Sequence, residues 1–593
     1  MKKKEGKMSV KHNGINHLFS ISFVLLFFFT SASVVFPLDP PTKEQLEKYR
    51  SEGTLKEKIK RAKKFGNHHV SVDLIKRLKY KLKNIAGLFP QNEDKKISGI
   101  LSPPPAWKGM PSKGVVKIPV ILISFQDKPN ANSKQLINNK IFGTGNQAEF
   151  PYESLRSFYT RSSYGQLKIT GNILGWYKTS YIRDEVLTKK PVSEAVARDN
   201  LIKEVINYYD AKGHDFSQYD NDNDGDIDYI VIIWSGEHGE WSTFWWAYQT
   251  SVVDSTFIVD GKNLSLYSWQ WESYGYPTSS FRPTTLIHET GHALGLPDLY
   301  DYEEGTGPEG GVGGLDMMDA SNGDHNCFHK FLLDWIDPAV ITTGSSHDLM
   351  LKPSATNTDS LIVMPDLDDG VVFSEFFMIQ NRYKKGNDIK YPGSGILIWH
   401  IDSTLDDSGY DFKFDNSYTD HKYLRLMEAD GLEEIESMFN ADAGDYYNKG
   451  DEFGTVTLPD SFKYDGSSSG IFVKDIFENG ENYSFSTGIF NPLKIELMAE
   501  RRIEKSWLLK KEYALISFNI EILNEINVHR YIVMRKNDID IYREIKEILS
   551  TDSENNNYSY TDKFLDEERT YNYKIVAYDN LGNVLGVSRE ITI

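Results

Sequence analysis

The spacing of apolar residues changes three times along the chain. Residues 41–85 place leucine, isoleucine and tyrosine at three- and four-residue intervals among lysines. TKEQLEKYR, LKEKIKRAKK and VDLIKRLKYKLKNI therefore predict helices. That text ends in SPPPAWKGMPSKG, where Pro103, Pro104 and Pro105 cannot continue a helix. From Val115, VVKIPVILISF reads as a buried strand, and helical and strand signals alternate to about Pro338. Beyond Leu349 the chain turns to short β-like runs separated by turn residues: LIVMP, VVFSEFFMI, GILIWHID, YLRLMEA, TVTLP, GIFVKDI and YSFSTG. From about Pro492 a third pattern predicts a β-sandwich of roughly 100 residues. It is carried by SWLLKKEYALISFNI, VHRYIVMRK and TYNYKIVAY, with a turn at Asp579 to Asn583. Tyr571, opening the strand YNYKIVAY, stands where such sandwiches place a tyrosine corner.

The first residues follow a different logic. Lys2, Lys3, Lys4, Lys7 and Lys11 precede an apolar run from Leu18 to Phe29, and Thr30-Ser31-Ala32-Ser33 supplies small residues suited to cleavage. The pattern predicts an export signal over 1–33, with a retained signal anchor as the alternative. The apolar run is too short to span a bilayer comfortably, so no permanent membrane span is expected.

Composition narrows the class. The 593 residues are 40% hydrophobic and 25% charged, as in soluble globular proteins of several domains. Aromatics at 13% favour β structure. Cys327 is the single cysteine, which excludes an intrachain disulfide framework. The net charge of −19 disfavours nucleic acid as a partner. It is unevenly spread: residues 1–118 carry 24 Lys+Arg and 9 Asp+Glu, a net of +15, which leaves −34 for the rest. A basic leader before an acidic body predicts electrostatic docking of one on the other.

The most informative segment is FRPTTLIHETGHALGLPDLYD, Phe281 to Asp301. On a helix, His288 and His292 lie one turn apart on one face and can reach one metal ion. Glu289 is placed to take a proton from water that the metal activates. Zinc suits these ligands and tolerates an open fourth position. Gly295 can turn the chain sharply, and Asp298 follows at the spacing of a third ligand. Asp301, Glu303 and Glu304 are the alternatives. Tyr300 and Tyr302 are read as surface or core tyrosines.

A second metal is expected in DNDNDGDID. Asp220, Asp222, Asp224, Asp226 and Asp228 offer hard oxygen ligands around Gly225, as in the first part of an EF-hand-like calcium loop, with Asp226 lending its backbone carbonyl. Val231 at position twelve and the strand-like YIVII exclude a complete EF-hand. The acidic turns at Asp366 to Asp369 and Asp442 to Asp451 are weaker calcium candidates. The aromatic stretch GEHGEWSTFWWAY, Gly236 to Tyr248, is either core or the rim of a cleft, with His238 structural.

The extended motif H-E-x-x-H-x-x-G-x-x-D resembles the metzincin pattern, with Asp298 in place of the usual third histidine. Met318 of Gly-Leu-Asp-Met-Met-Asp is then the Met-turn residue, with Met317 the alternative. IPVILISFQD, SFYTRSSYGQLKITGNILGW, DFSQYDNDNDGDIDYIVII, LDMMD and FHKFLLDWIDP, together with the helix motif, resemble the immune inhibitor A family of secreted bacterial metalloproteases. YPGSGILIWHID and LMEADG resemble the β-domain that often follows the protease there.

The resemblance covers about residues 114–487. It implies an α+β zincin catalytic domain, an amino-terminal pro-segment and extracellular proteolysis of protein or peptide substrates. The expected organisation is a signal peptide (1–33), a basic helical pro-segment (34–113), a zinc metalloprotease domain (114–345), a β-rich accessory domain (346–487) and a fibronectin type III-like sandwich (488–593). One catalytic zinc and one or more structural calcium ions are expected. The β-domains leave contact with glycans or a cell surface open. Latency would need a blocking carboxylate or histidine in the leader: Asp73, Glu93, Asp94, His68 or His69. The competing reading is a catalytically inactive binding or adhesive protein that keeps the protease fold.

Overall fold

A strand buried on both faces needs two cores, and VVKIPVILISF supplies them by alternation. In the computed structural model this segment is β1 (Gly114–Ser124). Val116, Ile118, Val120 and Leu122 enter one core, while Ile121, Ile123 and Phe125 enter another. The structure describes residues 41, 43–85, 109–188, 193–303, 311–342, 347–365, 373–417, 420–437, 440–455, 457–490, 493–505, 510–522, 527–537, 542–553, 555–563, 565–566, 569–582 and 584–593. The expected export signal, Pro103–Pro105, Glu93, Asp94, Glu304 and the turn Asp366 to Asp369 lie outside them.

Three leader helices, α1 (Lys43–Ser51), α2 (Leu55–Lys63) and α3 (Val72–Ile85), form where the periodicity predicts. The first sheet contains β1, β2 (Leu167–Lys178), β3 (Asp226–Trp234), β4 (Tyr248–Ser251), β5 (Ile258–Val259) and β6 (Lys262–Trp271). Its order is β2-β1-β3-β6-β4, with β5 also paired to β6. The pairings among β2, β1, β3 and β6 are parallel, whereas β4 runs antiparallel at the edge. Helices α4 (Lys134–Ile141), α5 (Leu155–Ser162), α7 (Thr284–Ala293), α8 (Met317–Ala320) and α9 (Cys327–Leu332) contribute to the first core, and α6 (Glu194–Asp210) to the second. The leader divides between them. Leu74, Ile75, Leu78 and Leu82 of α3 join the first core, and Leu46, Tyr49, Leu55, Ile59 and Ala62 of α1 and α2 join the second.

The next strands are β7 (Ala339–Ile341), β8 (His347–Leu351), β9 (Leu361–Val363), β10 (Glu375–Arg382), β11 (Gly395–Asp402), β12 (Leu424–Leu426), β13 (Ile471–Asn479) and β14 (Asn482–Ile489). They form sheets ordered β12-β11-β10-β9-β7 and β13-β14-β8. Residues on both sides of the expected 345/346 boundary share a core. Phe376, Met378, Leu397 and Trp399 pack with the first core, while Phe377, Ile379, Ile396 and Ile398 face β13 and β14 in a third. The described residues of TVTLP, Thr455 and Thr457 to Pro459, lie in no strand. Thr457 Oγ1 accepts from Gly454 N (2.8 Å) and donates to Pro459 O (2.6 Å), local bonds that compete with strand pairing.

The last strands are β15 (Leu493–Lys505), β16 (Lys510–Ile522), β17 (Arg530–Asn537), β18 (Arg543–Leu549), β19 (Asn557–Asp562), β20 (Tyr571–Tyr578), β21 (Val584–Val587) and β22 (Ile591–Thr592). Two antiparallel sheets, β15-β16-β19 and β18-β17-β20-β21 with β22 on β20, enclose a fourth core. Tyr571 Oη accepts from the Asp566 backbone N–H at 3.0 Å, which ties the strand start to the preceding loop. Among the described residues, no helix is long and apolar enough to cross a membrane. The protein is thus a multidomain chain of mixed α/β structure, β-rich in its carboxy-terminal part.

Leu78 is fully buried where the leader meets the first core. Leu78→Ala is expected to destabilise the protein by about 2–5 kcal/mol. It should also expose residues 72–85 to limited proteolysis. Equal melting temperatures and digestion rates for variant and parent would refute this docking.

Candidate metal centre

Helix α7 is buried along its whole length. On it, His288 and His292 direct Nε2 toward one point, and Asp298 reaches the same point after the turn at Gly295 (φ 96°). The three separations are 3.1 Å between the two Nε2 atoms, 3.0 Å from His288 Nε2 to Asp298 Oδ1, and 3.2 Å from His292 Nε2 to the same oxygen. Tetrahedral ligation with bonds of about 2.1 Å puts neighbouring ligands about 3.4 Å apart, close to these values. The other ring nitrogens are held from behind. His288 Nδ1 lies 3.0 Å from Met317 O, and His292 Nδ1 lies 2.8 Å from Leu296 O. A carbonyl only accepts, so both Nδ1 atoms carry hydrogen and both Nε2 atoms can offer lone pairs. Two lone pairs and a carboxylate converging in a buried site call for a cation. The donor set, two imidazoles and one carboxylate, fits zinc.

Tyr300 and Tyr302, expected at the surface or in the core, are core residues of the second cluster that also reach the metal-ligand set. Tyr300 Oη and Tyr302 Oη donate to Asp298 Oδ2 at 3.0 and 2.6 Å. Burial opposes ionisation of Asp298, yet the two imidazoles hold its carboxyl far below the usual range. Asp301 accepts from Glu303 N at 2.6 Å and is turned into a local loop, so Asp298 is the carboxylate brought to the histidines. Glu289 is buried, and its Oε2 has no hydrogen-bond partner. Burial, partly countered by His288, raises its carboxyl to about 8. Met318 lies beneath the helix, where a Cβ built on Gly291 would overlap its sulfur.

The leader roofs this centre. A cavity of about 30 Å³ is bounded by His288, Glu289, His292 and Asp298 below and by Ala62, Phe65 and Asn67 of the leader. Such a space holds a water or two, not a peptide. Asp298 N donates to Asn67 O (2.7 Å), and Ser71 N donates to Gly295 O (3.0 Å). Lys48 and Lys58 both meet Glu240 at 2.8 Å, Arg61 meets Glu194 at 2.5 Å, and Lys81 meets Asp334 at 2.5 Å. Of the expected blocking residues, Asp73 pairs with Lys76, His69 pairs with Asp411, and the His68 ring lies 5.4 Å from that of Tyr302, tilted against it. None of these three joins the histidine–aspartate cluster. Trp241, Trp246 and Tyr248 are both core and cavity wall, and His238 stacks on Tyr274.

In the acidic loop, ligand oxygens of Asp220, Asp222, Asp224 and Asp228 lie within 4.8 Å of one another. Asp226 Oδ1 accepts from Asn263 Nδ2 (2.9 Å), the residue begins β3, and its side chain is not grouped with the other four. Burial, together with Asp222 and Asp224, raises Asp228 to about 8, and its Oδ1 is buried without a partner. That orphaned oxygen among carboxylates fits a hard cation such as calcium. In the weaker turn, Asp445 groups with Glu428 and Asp430, while Asp442 lends it a backbone N–H (2.6 Å).

No family model matches the chain, and no curated protein matches it. Among solved structures, a myokine structure aligns at 17% identity over 16% of this chain and 89% of its own, with a TM-score of 0.12. Pectate lyase PelI from Erwinia chrysanthemi in complex with tetragalacturonic acid aligns at 16% identity over 17% and 28%, with a TM-score of 0.12. A β-1,2-glucanase from Parabacteroides distasonis aligns at 16% identity over 19% and 16%, with a TM-score of 0.13. These likenesses carry no argument, so the reading of the site rests on its geometry.

Gly291→Ala is expected to push Met318 away from the helix and to cost about 1–3 kcal/mol. Chemical unfolding checks this, and an unchanged midpoint would show that the packing of α7 on Met318 is loose.

Proposed function

We propose that the chain is a secreted zinc-dependent endopeptidase of immune inhibitor A-like, metzincin-like type, held latent by its own leader. The observation that supports it most is the 3.0 to 3.2 Å convergence of His288, His292 and Asp298 beside the unpartnered oxygen of Glu289. His288, His292 and Asp298 would hold the zinc. When bound, it supplies a Lewis acid that polarises the scissile carbonyl and makes water more acidic. Glu289 takes the proton of the attacking water and passes it to the leaving amine. Tyr300 and Tyr302 hold Asp298 in place. Met318 serves as the Met-turn residue. Strand β4, which among the described strands pairs only with β6, offers its other edge for an extended substrate to pair with.

In this reading residues 114–345 are a zincin domain, 346–487 an accessory β-domain and 488–593 a fibronectin type III-like sandwich. Calcium at Asp220, Asp222, Asp224 and Asp228 stiffens the entry to β3. The leader acts as a roof and not as a metal ligand: its backbone at Asn67 and the side chains of Ala62 and Phe65 close the cavity.

Casein hydrolysis by the chain freed of residues 1–113, with zinc and calcium, tests the reading. Glu289→Ala should lower the rate by at least about 100-fold, and a chelator should abolish it. The unprocessed chain should be nearly inactive. Zinc binding without hydrolysis by the freed chain would favour the inactive binding protein, and full activity of the unprocessed chain would exclude the roof. Tyr302→Phe should weaken zinc affinity by about 10-fold or more, read by competition with a chromogenic chelator. Unchanged affinity would remove Tyr302 from the support of Asp298.

A further inference from the structure

A second set of ligands lies beneath the first. Asp316, His325 and His329 are fully buried, and one ligand atom from each lies within 4.8 Å of the others. Asp316 Oδ1 is 3.7 Å from His325 Nδ1, and Oδ2 is 3.5 Å from His329 Nδ1. These distances are too long for good hydrogen bonds. They are close to the separation of about 3.4 Å expected of two ligands on one tetrahedral ion. The orphaned atoms agree. His325 Nδ1, His325 Nε2 and His329 Nδ1 are buried with no hydrogen-bond partner. A neutral imidazole always presents one donor and one acceptor, and leaving such a group unpaired costs about 1–3 kcal/mol.

Among the described residues, the nearby cations are already paired. Lys330 is committed to Asp324 (2.7 Å) and Arg382 to Asp388 (2.7 Å). Phe158, Tyr159 and Trp335 wall the His325 ring, with centroids 5.9 to 6.2 Å away. The outer contacts are those of held ligands. His329 Nε2 lies 2.7 Å from Tyr423 Oη, which orients the ring so that Nδ1 faces Asp316. Asp316 accepts from Met318 N at 2.7 Å and from Asn326 N and Nδ2 at 2.5 and 2.7 Å. Those three bonds would be enough for a helix-capping carboxylate. They do not account for two histidines aimed at it with bare nitrogens.

We infer that Asp316, His325 and His329 form a second, structural site for a divalent transition metal, zinc foremost, distinct from the site at His288, His292 and Asp298. Imidazole and carboxylate donors suit zinc, and so deep a site is filled as the chain folds. The ion would brace the first site. Asp316 caps α8, and Met317 O of that helix holds His288 Nδ1.

The test measures zinc by mass spectrometry in the full chain purified from zinc-supplemented cells, beside His288→Ala/His292→Ala and His325→Gln/His329→Gln. The inference expects about two zinc ions in the parent and about one in His288→Ala/His292→Ala, with zinc-edge X-ray absorption of that variant showing imidazole and carboxylate ligands. A chelator should lower the melting temperature of that variant. A parent with one zinc that His288→Ala/His292→Ala loses would overturn the second site and leave the first standing. One zinc kept by that variant, with none at the first site, would sink the protease reading and support this one. A parent with no zinc overturns both. Should His325→Gln/His329→Gln fail to fold, the count in His288→Ala/His292→Ala still decides.

Discussion

Three electron-pair donors held within about 3 Å of one another in a dry interior repel unless a cation joins them, and the core around α7 is arranged to keep them there. The backbone supplies acceptors behind both imidazoles, so neither ring can rotate without losing a hydrogen bond. Two tyrosines occupy the far oxygen of Asp298. Gly291 gives up its side chain so that Met318 can lie beneath the helix. Beyond α7 these contacts come from two stretches of chain, Leu296 to Tyr302 and Met317–Met318, and Tyr300 and Tyr302 belong to the second core, so the site is a product of both cores and not of α7 alone.

That core also explains why the chain resists division. The alternating faces of β1 and β3 set two cores on either side of the first sheet, and β10 and β11 repeat the device one layer on. One core, holding both Leu286 and Trp399, joins α7 to the β-rich half. The last two sheets stand apart in this respect, with a core of their own.

Much of this was legible in the sequence because it depends on short spacings. The i, i+4 histidines, the turn at Gly295, the carboxylate three residues on and the leader helices all follow from periods of a helix. The strand after the acidic loop was readable from YIVII, though it begins earlier, at Asp226. What escaped was orientation and distance. Tyr300 and Tyr302 have ordinary neighbours in sequence, and only the fold turns them toward Asp298. Asn67 meets Asp298 across more than 200 residues, so no local pattern signals that the leader closes the cavity with backbone. His325 and His329 share the four-residue spacing of the first pair, but their carboxylate lies upstream and no Glu follows the first histidine. TVTLP misled because apolar text at that length suits a strand or a hydrogen-bonded bend equally well.

The division of the leader between two cores bears on how such a precursor would be switched on. A single cut after α3 would leave both sets of helix contacts in place: Leu74, Leu78 and Leu82 pack in one core, Tyr49 and Ile59 in the other. On the proposed function, the product of that cut would be a nicked complex with the leader still seated over the cavity. Its activity would then be governed by a dissociation rate, and the lag between nicking and hydrolysis would be a property of leader packing and not of the processing enzyme.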